Sequence, residues 1–154
     1  MGHMVTAMDD RMSVTLTLPY PVSNNRYWRS KVVGGIAMTY VSSEAKQYKA
    51  QVAEIVRAAG IVHPILGRVE VHIELYPHRP LDYKKRMAAD PVHWAETVQC
   101  IDLDNARKVL YDALKCLVFM DDKWIWRDSG ERMEPDEHGA RVVVRVTEIS
   151  YEYY

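Results

Sequence analysis

Apolar and polar residues alternate along several stretches of the chain. In residues 13–18, Val14, Leu16 and Leu18 are apolar while Ser13, Thr15 and Thr17 are polar, a period of two that predicts a half-buried strand ended by Pro19. Residues 68–76 repeat the pattern, with Val69, Val71, Ile73 and Leu75 on one side and Arg68, Glu70, His72 and Glu74 on the other. His72 is thereby read as a surface residue. Residues 141–149 repeat it around Val142, Val144 and Val146. Other stretches have helical spacing. Tyr48, Val52, Ile55, Val56 and Ala59 line one side of a helix that Ser42 or Ser43 caps, Glu44 favours in its first turn and Gly60 stops. Val109, Leu110, Ala113, Leu114 and Leu117 line one side of a second helix, which Asp104 or Asn105 can cap and which runs to about Val118.

Lys123 to Arg132, with Trp124, Ile125 and Trp126, reads as a further strand. The composition of Pro135-Asp136-Glu137-His138-Gly139 suggests a hairpin loop pairing it antiparallel with the last strand, and Gly34-Gly35 marks a loop tip. The expected order is β-α-β-α-β-β: an α+β fold in a single domain, with a mixed, mainly antiparallel sheet of about four strands and two main helices.

Composition narrows the class. At 154 residues, 48% hydrophobic and 27% charged, the chain suits one globular core and no disordered class. Met1-Gly2-His3-Met4 reads as a cloning remnant, which leaves residues 5–154 as the domain and sets His3 aside from any ligand argument. No signal peptide or membrane span is read. Cys100 and Cys116 have no zinc-binding spacing and suit structural thiols in a reducing cytoplasm. Charge is unevenly spread: residues 1–100 hold twelve Lys/Arg against nine Asp/Glu, whereas residues 101–154 hold eight against twelve. Carboxylates crowded at that end repel one another, and any polyanion, unless cations sit among them.

Two loops and one acidic run carry the candidate chemistry. Residues 19–29 follow two prolines with Ser23, Asn24, Asn25, Arg26, Tyr27, Trp28 and Arg29, side chains that contact phosphates and stack on bases, although Ser and Asn also populate ordinary turns. Residues 77–97 carry three prolines and the basic run His78, Arg79, Lys84, Lys85 and Arg86, either a phosphate-binding loop or a solvated face, with room for a short helix. Asp102 and Asp104 alternate about Leu103, Lys108 lies four residues after Asp104, Asp112 four beyond it, and Asp121-Asp122 follow. At helical pitch Asp104, Lys108 and Asp112 share a face. Carboxylates converging from a strand-to-helix junction and a later turn are the hard oxygen ligands that Mg²⁺ or Mn²⁺ prefers. Piece by piece, a cap, an ion pair and a turn explain the same residues.

Taken together, Leu18-Pro19-Tyr20-Pro21-Val22-Ser23-Asn24-Asn25-Arg26-Tyr27, Asp102-Leu103-Asp104-Asn105 with Lys108 and Asp112-Ala113-Leu114, and Asp121-Asp122 resemble the RusA-type Holliday-junction resolvases of bacteria and prophages, in element order from about Val14 to Ile149. The resemblance implies a cytoplasmic, homodimeric, Mg²⁺-dependent (or Mn²⁺-dependent) endodeoxyribonuclease that resolves four-way DNA junctions by paired symmetric nicks in recombination and repair. It implies metal ligation by Asp102, Asp104 and Asp122, with Asp121 beside them, and catalysis by these three and Lys108. Ser23, Asn24, Asn25 and Arg26 would contact DNA, with Asn105 and Lys108 beside them. Two other readings stand next to it. One is a junction-binding module without cleavage. The other, prompted by apolar Val98 to Ile101 leading into Asp-x-Asp, is an aspartyl-nucleophile phosphatase, which the 52 residues after Asp102 are too few to build.

Overall fold

The computed structural model describes residues 3–8 and 11–150. Tyr151 to Tyr154 of the expected domain lie outside the described residues. The chain runs through β1 (His3–Met8), β2 (Arg11–Pro19), a single helical turn α1 (Asn24–Tyr27), β3 (Trp28–Val33), β4 (Ile36–Val41), α2 (Ser43–Ala58) and β5 (Val69–Tyr76). It continues through α3 (Tyr83–Ala89), a 3-10 turn (Trp94–Thr97), α4 (Leu103–Leu114), a second 3-10 turn (Asp122–Trp124), β6 (Ile125–Arg132) and β7 (Arg141–Glu148). The main sheet has the order β1-β2-β7-β5-β6, antiparallel except where β6 joins β5 in parallel. The fold is α+β with a mixed, mainly antiparallel sheet.

The alternating apolar residues all fall on one face. Val14, Leu16 and Leu18 of β2, Val69, Val71, Ile73 and Leu75 of β5, and Val142, Val144 and Val146 of β7 are buried there. Ala45, Tyr48, Val52 and Val56 of α2 and Ala106, Val109, Leu110, Ala113 and Leu114 of α4 cover them, so two helices packed on one sheet face enclose the core. Ser42 caps α2 through an Oγ that accepts from the Ala45 N–H at 3.2 Å. No helix among the described residues is long and apolar enough to cross a membrane.

Three expectations are corrected. The last two strands are not a hairpin: β7 lies between β2 and β5, while β6 pairs with β5 on its far side. The reason is compositional, since β7 is Val-rich and suits the sheet interior. Arg127, Asp128, Ser129, Gly130, Glu131 and Arg132 give β6 the polar character of an edge strand. Parallel pairing needs a crossover, and α3 and α4 supply it. Second, the sheet has an edge strand outside the expected order: β1 pairs with β2, with His3 opposite Leu16 and Met4 opposite Thr15. Third, residues 28–41 form a separate two-stranded hairpin, closed by Gly34 and Gly35 at φ 58 and 80, the left-handed conformation that a tight two-residue hairpin loop demands. The short helix for which the 77–97 loop had room is α3.

Candidate active site

Asp102, rather than Asp104 or Asn105, caps α4: its Oδ1 accepts the Asn105 N–H at 2.9 Å. The cap occupies one carboxylate oxygen. Just upstream, the Ile101 N–H donates to the Tyr20 hydroxyl at 2.7 Å, which fixes the backbone leading into Asp102. Burial pushes the Tyr20 hydroxyl up to about 12, so it stays protonated. No strand leads directly into Asp102 and the sheet is mainly antiparallel, which removes the phosphatase reading, since that chemistry needs a parallel doubly wound sheet.

With the apolar side of α4 buried, Asp104 and Lys108 stand exposed one turn apart, Lys108 Nζ 3.2 Å from Asp104 Oδ2. Asp112 shares their face of the helix but is engaged elsewhere. It accepts a hydrogen bond from the Tyr27 hydroxyl and lies 3.4 Å from Lys49 Nζ, joining α1, α2 and α4 at one carboxylate. Tyr27 is fully buried, so it is no base-stacking residue, contrary to the loop's composition.

The 23–27 turn is held from several sides. Ser23 O accepts the Arg26 and Tyr27 N–H groups, Ser42 Oγ donates to Arg26 O at 2.7 Å, and the Arg26 guanidinium meets Glu44 at 2.7 Å. Ser23 and Arg26 line a groove of about 940 Å³ together with Asp102, Asn105, His78 and Arg86. The side chains of Asn24 and Asn25 lie outside the described residues. Arg86 is spent on structure: it donates to Asp82 at 2.8 Å and to Thr97 O at 3.0 Å, tying α3 to the following 3-10 turn.

Asp121 and Asp122 lie toward the other end of α4. Asp121 caps the 3-10 turn by accepting the Lys123 N–H at 3.2 Å, and Lys115 Nζ is 3.5 Å from its carboxylate. A hydrogen bond between the two carboxyls pulls Asp121 down to about 2 and pushes Asp122 above the ordinary carboxylate range. Asp122 lines a smaller recess of about 410 Å³ with Trp28, Arg107, Lys108, Tyr111, Asp112 and Lys115. This side is anchored by Asp128 of β6, which lies 3.0 Å from Arg107 Nε and accepts from the Tyr111 hydroxyl at 3.1 Å.

The structure thus gathers Asp102, Asn105, Ser23 and Arg26 along one groove, and Lys108 and Asp122 in an adjoining recess. Among the described residues, no three Asp, Glu, His or Cys side chains stand close enough to ligate one ion. Asp102 caps one end of a helix whose 12 residues span about 18 Å, while Asp122 sits alongside its other end. Sequence reasoning gave no role to Lys49, Arg107 and Asp128, and Tyr20 entered it only as part of the loop motif.

Residues 19–147 match the family described as Endodeoxyribonuclease RusA. The chain is 31% identical over 143 residues to the Crossover junction endodeoxyribonuclease RusA of Escherichia coli strain K12, covering 90% of this chain and 97% of that protein. It is 30% identical over 142 residues to the protein of the same name from Enterobacteria phage 82, covering 89% and 96%, and 29% identical over 143 residues to that of Shigella sonnei strain Ss046, covering 90% and 97%. Spanning the Ser23 to Tyr27 turn, the Asp102 cap and the Asp121-Asp122 turn alike, the match shows that this chain belongs to the endodeoxyribonuclease RusA family.

Proposed function

We propose that this chain is a divalent-metal-dependent endodeoxyribonuclease that resolves four-way DNA junctions by paired symmetric nicks, acting as a homodimer. The observation that carries this reading is Asp102, the cap of α4, lining one groove with Ser23, Arg26 and Asn105, while the exposed Asp104–Lys108 pair follows it on the same helix. Groove residues of this kind donate to phosphate oxygens and position a strand without reading its sequence.

Asp102, Asp104 and Asp122 have the hard oxygen chemistry that Mg²⁺ or Mn²⁺ takes, but one chain divides them along α4, and among its described residues no three such side chains gather on one ion. In such a homodimer, Asp122 of one copy and Asp102 and Asp104 of the other would hold the ion together. When bound, the ion lowers the pKa of water and neutralises charge on the phosphate. The chain's own residues then have distinct tasks. Asp104 holds Lys108 in place, Lys108 meets the negative charge that grows on the phosphoryl and leaving oxygens, and Ser23, Arg26 and Asn105 hold the strand in register. Hydrolysis adds water across one P–O bond, leaving a 5′-phosphate and a 3′-hydroxyl.

The test is cleavage of labelled four-way junction, duplex and single strand in Mg²⁺, in Mn²⁺ and in chelator, with light scattering for subunit number. Selective, metal-dependent nicking of the junction by a dimer is expected. Tight junction binding without nicking in any metal would instead make the chain a binding module. Mixing Asp104→Asn with Asp122→Asn protein tests the shared site: mixed dimers regain one intact site and nick one strand, whereas a site within one chain leaves the mixture inactive.

A further inference from the structure

Residues 28–40 stand out from the core, which the hairpin rejoins at Val41. β3 and β4 pair with each other and, among the described residues, with no strand of the main sheet. Every side chain from Trp28 to Tyr40 is exposed, including Val32 (72%), Val33 (50%), Ile36 (68%) and Met38 (49%). An arm of this kind gains nothing from apolar residues at its tip unless something covers them.

Charge indicates what does. Between Arg26 and Ser43 the chain carries Arg26, Arg29 and Lys31 and no carboxylate, although the protein as a whole is slightly acidic. Strand register puts Arg29, Lys31 and Val33 on the same face as Tyr40, Met38 and Ile36, and Lys31 Nζ lies 5.1 Å from the Tyr40 ring centre. Cations stand toward the base of this face and apolar side chains at its tip. The complementary partner presents phosphates outside and flat apolar surfaces inside, as nucleic acid does where bases come unstacked. The root is equally informative. Trp28 lines the recess that holds Lys108 and Asp122, and Tyr27, one residue earlier, is bonded to Asp112. Six residues per strand reach about 20 Å from that root, a distance comparable to the width of a duplex.

We propose that the β3–β4 hairpin is a wedge that enters the branch point of a DNA junction. Val32, Val33 and Ile36 pack against unstacked base faces while Arg29 and Lys31 hold the flanking phosphates. The inference rests on the junction reading above and adds to it the element that opens the DNA.

The test uses full-length protein and a four-way junction carrying 2-aminopurine beside the branch point, in chelator so that nothing is cut. Binding should raise the fluorescence several-fold. The Val32→Ser/Val33→Ser/Ile36→Ser variant should bind within about threefold of the parent, lose most of the rise and nick at least tenfold more slowly in Mg²⁺. Arg29→Ala/Lys31→Ala should weaken binding and reduce the slope of log affinity against log salt by about 0.9 per lost contact. A shortened hairpin lacking residues 31–33 and 36–38 keeps Gly34-Gly35 between the paired Ser30 and Thr39 and is the control for any misfolding of the first variant. An undiminished fluorescence rise in either tip variant overturns the wedge. So does a tip variant that turns monomeric where the parent is dimeric, because the hairpin is then a subunit arm. A parent that nicks junctions without any fluorescence rise overturns the wedge and leaves the junction reading standing. A parent that neither binds nor nicks junctions overturns both.

Discussion

Replacing Asp112 by Ala separates a structural carboxylate from a catalytic one. Its carboxylate accepts from the Tyr27 hydroxyl, which is carried on a fully buried side chain, and lies 3.4 Å from Lys49 Nζ. Removing a charged acceptor from a buried hydroxyl costs about 1.5–3 kcal/mol. The Lys49 pair, partly exposed, adds no more than about 1 kcal/mol. Asp112→Ala should therefore destabilise by about 2–4 kcal/mol, and Tyr27→Phe by about 1–2 kcal/mol, because the carboxylate left behind keeps Lys49 and some water. In a double-mutant cycle measured by urea unfolding, the pair should show a coupling of about 1–2 kcal/mol. The effect has a pH signature. Burial, and then the Asp112 carboxylate, push the Tyr27 hydroxyl upward from its ordinary 10.0. A raised folded-state pKa makes this contribution fully present below pH 10 and lost as pH climbs through the raised value, so parent and Tyr27→Phe should converge in stability at high pH. Below its melting transition, Asp112→Ala should still nick faster than Asp104→Asn. A coupling near zero, or loss of nicking in an Asp112→Ala protein of parental stability, would refute the assignment.

Gly130→Ala should cost about 1–3 kcal/mol in urea unfolding, since a Cβ there meets Ile73 Cγ1 at 3.0 Å and Arg107 Nη2 at 3.2 Å, and should slow nicking through the Arg107–Asp128 anchor. Asp136 is held down to about 2, chiefly by the paired hydrogen bonds from Arg141 at 2.8 and 2.9 Å. Its contribution is present above its ordinary 3.8 and lost as pH falls toward 2. Asp136→Asn should therefore be about 1 kcal/mol less stable than the parent at pH 7, with the gap closing in acid unfolding series. Arg86→Ala should loosen the 77–97 segment, read as faster proteolysis there, whereas Lys84→Ala/Lys85→Ala should leave stability within about 0.5 kcal/mol and act only on DNA binding and its salt slope.

The strands that form the centre of the sheet were legible because each buries one face and keeps a period of two, and α2 and α4 because each buries a stripe. What periodicity does not encode is neighbourhood. The Pro135 to Gly139 loop has hairpin composition, yet β6 is too polar to sit beside β7 within the sheet, and its own sequence marked it as an edge. The β3–β4 hairpin was missed because it buries neither face. At the site, Asp102, Asp104, Lys108 and the Asp121-Asp122 turn were visible as a charge pattern on and around one helix. Tyr27 was not recognised as a core residue, because its placement depends on Asp112, 85 residues away, which no local pattern can anticipate. Nor does spacing along α4 reveal that Asp102 and Asp122 flank opposite ends of it.

The most direct measurement is nicking of a four-way junction whose four strands are labelled separately, followed in Mg²⁺ and in chelator. Cuts are expected in two opposed strands at positions related by the junction's dyad, none in chelator, and none from Asp102→Asn or Asp104→Asn protein that still binds. Cuts confined to one strand, duplex cut as readily as junction, or undiminished cutting by either Asn variant would contradict the junction reading.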